Sequence, residues 1–492
     1  MTFEPARDDV EEPLAELNDE RPSHVPMALE SSPDQGTATS VVGLQWGDEA
    51  KGKLVDLLAD HHDVVVRYQG GANAGHTIVA NGVTYKLSLV PTGIIRPDVI
   101  CVVGNGVVID PDALWREIDT LSRQNIALDG RLWISDRAHL ILPWHIEEER
   151  LTEDTPVGTG AEAIGTTRRG IGPCYRDKAG RSFALRMADL VDDPQRFRTL
   201  LARIVPHKNR LLQAFLDDFT PFDVEEIAHR YSQHAERLRP YLTDTVEWLH
   251  QARKQNKRLL FEGAQGAMLD VDHGSYPYVT GSNAACGLAP GSGVPSQAVS
   301  RWIGVAKAYS TRVGSGPFPT ELTNEVGQRI REVGREYGTV TGRPRRCGWF
   351  DAVMVRRTAQ IVGVNQLAVM LLDVLSGLPE LKVAIAYEDD SGRRLTGPPA
   401  NPERLAACRP IYQTLPGWTQ DLTGVRTWSD LPEAARGYVE FLAEAVEVPV
   451  KVVSVGPDRL QTIFKDHARE ERSGRTRRPD PSNSPPDLSP PR

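Results

Sequence analysis

Ser40-Val41-Val42-Gly43-Leu44-Gln45-Trp46-Gly47-Asp48-Glu49-Ala50-Lys51-Gly52-Lys53-Leu54-Val55-Asp56-Leu57-Leu58 decides the fold class. Ser40 to Leu44 is a short apolar run that suits a buried strand. Leu54 to Leu58 reads as helix. Between them, Gly47 to Lys53 brings small residues, two acids and two lysines into one loop. Strand, loop and helix in that order open a phosphate-binding α/β unit. Small residues let backbone N–H groups approach phosphate oxygens, and the following helix points its N-terminus at the anion. Asp48 can serve as a base or a metal ligand. The spacing differs from the standard P-loop. An ordinary polar turn would share the composition.

Outward from this unit, the same pattern recurs. Val64 to Tyr68 is a β-branched run ending in Gln69-Gly70-Gly71, and Ile100 to Val103 ends at Gly104-Asn105-Gly106. Arg258 to Phe261 opens into Glu262-Gly263-Ala264-Gln265-Gly266. Trp302 to Val305 and Ala368 to Leu372 are further apolar runs, the second followed by Asp373. A mostly parallel sheet places such strand ends on one side, where ligands bind. The expected fold is α/β. It has a large, mostly parallel central sheet flanked by helices, a P-loop-NTPase-like nucleotide site, and helical and small β insertions. Glu225 to Gln255 is expected to be helical, with Ile227, Tyr231, Leu238, Leu242, Val246 and Leu249 near one buried face.

The 492 residues are 40% hydrophobic and 25% charged, ordinary for a globular protein, with a net charge of -9 that argues against general affinity for nucleic acid. Five scattered cysteines without a CxxC pair suit a reducing cytoplasm, the expected location. No secretory signal or membrane span is expected. Residues 1–39, rich in Asp, Glu, Pro and Ser, and residues 468–492, rich in Pro, Ser and Arg, read as disordered extensions. The catalytic domain is expected over 40–467.

Four more segments carry chemistry. Gln69 to Thr77 surrounds Asn73 and His76 with tiny residues, and a histidine at a strand end is a candidate general acid. Gly165-Thr166-Thr167-Arg168-Arg169-Gly170 suits a phosphate, although a solvated basic loop would look alike. Gln265 offers an amide that can read a base edge. The nearby Asp270-Val271-Asp272-His273 lacks further ligands at metal-site spacing. Thr339-Val340-Thr341-Gly342-Arg343-Pro344-Arg345-Arg346 is a plausible clamp for carboxylates or phosphates.

These segments in this order, with Tyr309 to Glu321 and Ser454-Val455-Gly456-Pro457, resemble the adenylosuccinate synthetase family from about Val41 to Phe464. The resemblance implies GTP-dependent ligation of L-aspartate to IMP through a 6-phosphoryl-IMP intermediate, with Mg2+. It implies Asp48 as base and magnesium ligand with the Gly75 carbonyl, and His76 as acid, aided by Lys51 and Gln265. Asn73, Ala74, Thr167, Gln265, Thr280, Thr339, Thr341, Gly342 and Arg343 match IMP or aspartate contacts. Arg181 matches an arginine that reaches a partner subunit's IMP, implying a homodimer. Gly47, Glu49, Ala50, Lys51, Gly52, Lys53, Arg345, Leu371, Asp373, Ser454 and Gly456 match the GTP side. The sequence departs from the family at Ala50, where glycine is usual, and at Ala72, Arg168, Leu371 and Val455. Those departures leave open an alternative: a paralogue with another donor nucleotide or amine, or a weakly active nucleotide-binding regulator.

Overall fold

The computed structural model describes residues 38–80, 83–154, 163–338 and 342–465. Thr339 and Thr341 lie outside the described residues, as do positions 1–37 and 466–492. Strand β1 (Ala38–Gly43) is buried at every position. Val41 enters one apolar cluster with Leu54, Leu58 and Val65, whereas Val42 enters another with Leu44, Val355 and Leu367. Alternate side chains of a strand point to opposite faces, so these two clusters are the cores above and below one sheet.

That sheet has ten strands. Their spatial order is Thr462–Phe464, Val450–Ser454, Gln366–Met370, Val299–Lys307, β1, Leu259–Gly266, Val64–Arg67, Ile100–Val103, Leu132–Ser135 and Leu242–Thr243. Every neighbouring pair is parallel except the antiparallel edge formed by Thr462–Phe464. Continuous apolar runs are what a sheet covered on both faces requires. β1 lies near the middle, and helix α1 (Lys51–Ala59) follows the glycine loop with every residue buried.

The expected helix over 225–255 is interrupted. It is Val224–Leu238 and Thr245–Lys254, separated by a 3-10 turn at Arg239–Tyr241 and the short strand Leu242–Thr243. Pro240 ends the helical ladder because it lacks an N–H and clashes with the preceding turn. Leu242 therefore pairs with Ile134 in the sheet instead of continuing a helix face. Ile227, Tyr231, Leu238 and Leu249 are buried as expected.

The insertions are of both kinds. Met187–Val191, Pro194–Gln213 and Val224–Leu238 form a helical block. Leu378–Glu388 pairs antiparallel with Arg409–Trp418, and His76–Ala80 with Val83–Leu87. Among the described residues, no helix is long and apolar enough to cross a membrane.

Candidate active site

A cavity of about 870 Å³ opens where the loops after β1, Val64–Arg67, Leu259–Gly266 and Val299–Lys307 meet. The run Gly47 to Gly52 forms one wall, and Asn73, Ala74, Gly75 and His76 a second. Thr167, Gln265, Thr280, Arg343 and Arg345 complete it. The parallel sheet thus gathers on one side loops that are far apart in the chain.

The glycine loop is left-handed at three positions: Gly47 (φ 87°), Asp48 (φ 59°) and Ala50 (φ 61°). Ala50 caps α1 without a side-chain bond, and Lys51 and Gly52, the first residues of α1, line the cavity, while Lys53 N donates to Ala50 O at 3.2 Å. Glu49 folds back beneath the loop. Its carboxylate accepts from Gln45 N at 3.1 Å, Gly47 N at 2.9 Å and Lys51 Nζ at 2.5 Å. Gly43 makes room for it, since a Cβ there would lie 2.3 Å from Glu49 Oε2. Burial opposes the Glu49 charge, but Lys51 and the loop amides hold its carboxyl below the usual value. Glu49 therefore shapes the loop and balances Lys51.

Lys53 turns the other way. Its ammonium donates to Ser454 Oγ (2.7 Å), Gly456 O (2.8 Å) and Gln461 O (3.1 Å). Burial pushes it down to about 7 despite the nearby Asp373. Lys53 thus ties α1 to the loop after Val450–Ser454. Asp373 follows the adjacent strand Gln366–Met370, and its Oδ1 is buried with no hydrogen-bond partner among the described residues. Leu371 beside it is left-handed (φ 59°), as is Arg168 (φ 55°). Three of the five departures from the family pattern therefore sit where an L-residue is strained.

His76 is held by a buried charge cluster. Its Nδ1 donates to Glu262 Oε1, which also accepts from Arg67 Nη2 at 2.9 Å. Glu262 Oε2 accepts from the Thr92 backbone N–H at 2.9 Å. Burial opposes the Glu262 charge, but Arg67 and His76 hold the carboxyl down at about 2. Burial and the Arg67 charge lower His76 itself. The imidazole is thereby fixed in orientation, with Nε2 left on the Ala264 side at 3.3 Å from its carbonyl.

Asp48 is paired with Arg345, Oδ2 to Nε at 2.9 Å. Gln265 Nε2 donates to Asn73 Oδ1 at 3.0 Å, while Gln265 Oε1 and Thr280 Oγ1 are buried without partners among the described residues. Buried polar atoms are normally satisfied, so these point to a polar ligand. Arg343 donates to Gly165 O at 3.2 Å, which joins its segment to the Thr167 loop. Gly342 (φ 65°) lies beside it. Arg181 caps the helix Ile171–Gly180 at the surface and is not a wall of this chain's cavity.

Among the described residues, no three His, Cys, Asp or Glu side chains converge as a metal cage. Asp48 and the Gly75 segment do face the same cavity. One carboxylate and one carbonyl, completed by ligand phosphates and water, is a donor set that suits magnesium. Asp270 is a loop organiser, accepting from the backbone N–H groups of Asp272, His273 and Ala285.

Sequence reasoning gave no role to Glu262 and overlooked Arg67, Glu336 and Lys307. A signal existed for two of them. Arg67 and Lys307 are charged residues that end apolar runs, at the last positions of the strands Val64–Arg67 and Val299–Lys307, and such residues are almost never buried unless paired.

Comparison with known proteins agrees with this geometry. Residues 40–463 match the family model for adenylosuccinate synthetase. An adenylosuccinate synthetase of Bacillus cereus is 51% identical over 423 residues, which is 86% of this chain and 97% of that protein. That of Streptococcus gordonii is 51% identical over 427 residues, 87% of this chain and 97% of that protein. The structure of fully ligated adenylosuccinate synthetase from Plasmodium falciparum aligns with TM-score 0.82 at 36% identity, covering 87% of this chain and 100% of that one. Cyanophage S-2L succinoaminodeoxyadenylate synthetase aligns with TM-score 0.56 at 20% identity over 88% of this chain and 96% of that one, a likeness of fold alone. The mostly parallel ten-stranded sheet, the loops gathered at its strand ends and the match along the folded body agree, and the chain belongs to the adenylosuccinate synthetase family.

Proposed function

We propose that the cavity performs the family's ligation of L-aspartate to IMP, driven by GTP, with Asp48 as base and His76 as acid. The observation that carries this reading is the placement of Asp48, His76 and Gln265 on one cavity with the N-terminus of α1. Asp48 would take the N1 proton of IMP, making the 6-oxygen nucleophilic. That oxygen attacks the γ-phosphorus of GTP and GDP departs. The aspartate amine then displaces phosphate at C6, giving adenylosuccinate.

His76 would steady the charge on the transferring phosphoryl group, and its fixed orientation removes the need to reorganise during the step. Gln265 and Asn73, bonded to each other, would hold the base. The unpartnered Thr280 Oγ1 and the Thr167 loop offer further contacts to IMP. Lys51 lies beside Glu49 at the phosphate wall. Magnesium, held by Asp48 and the Gly75 carbonyl, would neutralise phosphate charge. Arg345 and the Gly47 to Gly52 backbone face the same wall. Ser454, Gly456 and Asp373, with Leu371 beside them, would receive guanine. The free Asp373 oxygen suits the N1 and N2 donors that adenine lacks. Surface-exposed Arg181 fits a role in the active site of a second subunit.

The 51% identity along almost the whole length of named synthetases favours this activity over a paralogue or regulator. Purified protein with IMP, GTP, aspartate and magnesium is expected to show the absorbance change of adenylosuccinate formation. Asp48→Ala should abolish it, and appreciable turnover in that variant would remove Asp48 as the base. Mixing inactive Asp48→Ala with Arg181→Ala should restore partial activity through hybrid dimers. A mixture as inactive as its components would overturn the shared site.

A further inference from the structure

Arg345 lines the cavity and pairs with Asp48 across it, and it does not stand by itself. Its Nη1 donates to Glu336 Oε2 at 2.7 Å, while its Nε faces Asp48. Glu336 is buried and does not line the cavity. Its other oxygen accepts from Lys307 Nζ at 2.6 Å and Tyr309 OH at 2.5 Å. Lys307 also donates to Thr311 Oγ1 at 2.8 Å. The backbones bond as well: Arg345 N donates to Glu336 O at 2.9 Å, and Gly338 N to Arg343 O at 2.8 Å. Glu336 and Arg345 thus face each other across the root of the segment that carries Arg343.

The circuit closes on the glycine loop. Gln45 Oε1 accepts from Lys307 N at 2.9 Å, and Gln45 Nε2 donates to Tyr309 O at 2.8 Å. Gln45 lies just before the loop that bears Asp48. The path from Gln45 through Lys307, Glu336 and Arg345 therefore returns to the same loop. Its charges balance, with Asp48 and Glu336 against Lys307 and Arg345. Burial opposes the Glu336 charge, but Lys307 and Arg345 keep its carboxyl below the usual value.

We propose that Glu336 is a positioning residue of the reaction: pinned by Lys307 and Tyr309, it sets where the Arg345 guanidinium stands between Asp48 and the phosphate wall. A guanidinium is a rigid planar fork. Holding one nitrogen on a fixed buried carboxylate leaves the others a restricted arc. Without that anchor the full charge of Arg345 falls to Asp48, or the side chain swings free. Either result weakens what Arg345 does for the triphosphate and leaves the IMP wall at Asn73, Gln265 and Thr280 untouched.

The inference rests on the proposed place of Arg345 at the triphosphate, so its test is a double-mutant cycle on the full chain. Arg345→Gln alone should raise the KM for GTP and lower kcat. If it behaves as wild type, the reading of Arg345 itself falls, and this proposal with it. Glu336→Gln should raise the KM for GTP about tenfold, with the KM for IMP within about twofold. Added to Arg345→Gln, it should cause no further loss, because the residue it positions is gone. Penalties that multiply in the double variant would overturn the proposal. So would a parallel rise in the KM values for GTP and IMP, which marks general structural damage. If Glu336→Gln does not fold, Glu336→Asp, which keeps the charge on a shorter stem, carries the same cycle with the same two outcomes.

Discussion

His76 and Glu262 form a buried pair, Nδ1 to Oε1, with Arg67 Nη2 on the same oxygen and 3.2 Å from Nδ1, and of the three only His76 reaches the cavity. Glu262 therefore acts on the imidazole by fixing its tautomer and orientation, as carboxylates behind histidines do elsewhere. Glu262→Gln keeps the shape but removes the carboxylate charge that favours the doubly protonated imidazole, the form that can act as an acid at Nε2. Steady-state kinetics should show kcat reduced by about 10²-fold, a general-acid magnitude, with the KM for IMP little changed. Wild-type kcat in that variant would refute the assignment.

Ala50 should be a strained residue. Its φ of 61° is left-handed, where a Cβ costs about 1 kcal/mol or more. Ala50→Gly should lose that penalty but loosen the unfolded chain, so urea unfolding should show a net gain below about 1 kcal/mol. The KM for GTP reports separately on crowding. If Ala50→Gly leaves it unchanged, the methyl does not touch the triphosphate.

Lys53 should influence GTP without touching IMP. Its ammonium holds Ser454, Gly456 and Gln461 in place. Lys53→Met removes three charge-assisted bonds, each worth about 1.5–3 kcal/mol when the acceptors are left buried. The KM for GTP should rise at least about tenfold, while that for IMP stays put. Equal effects on both substrates would contradict the clamp.

Stability should fall with acid before the carboxylates titrate. Burial lowers His62 to about 4 and His139 to about 3, so both are neutral when folded. Unfolding exposes imidazoles with pKa about 6.5 that take up protons. The unfolded state then binds more protons, and the native state is favoured above about 6.5 and loses ground as pH drops toward 4. Glu262, lowered to about 2, adds a further loss below about 4.3 by the same linkage. Asp351, raised by burial to about 6, works the other way over part of this range, so the histidine contribution is read as the difference in melting temperature between wild type and the His62→Gln variant. His62→Gln should flatten the decline, since it removes an imidazole that burial keeps neutral in the folded state and that takes up a proton on unfolding.

Local pattern was enough for a large part of this molecule. The apolar run before Gly47 and the glycines at strand ends foretold a mostly parallel sheet with its glycine loops on one side, because strand periodicity and turn chemistry act over a few residues. Asp48, His76 and Gln265 could be picked out because each sits in such a loop. Pro240, within the expected helix, was a breaker that the apolar periodicity masked.

The partners of those residues depended on the tertiary structure. Glu262 lies 186 positions from His76, and Lys307 is 29 from Glu336. Nothing in the local sequence of either says which charge it will meet. Lys51 and Lys53 looked equivalent in the loop, yet one neutralises Glu49 and the other secures Ser454 and Gly456. A helix turns its side chains by about 100° per residue, so neighbours two apart face opposite ways. The sequence by itself determined which residue types gather at the sheet edge. The folded packing decided which of them face the cavity and which hold the others in place, because burying a charge is tolerable only where a distant element supplies its counter-charge.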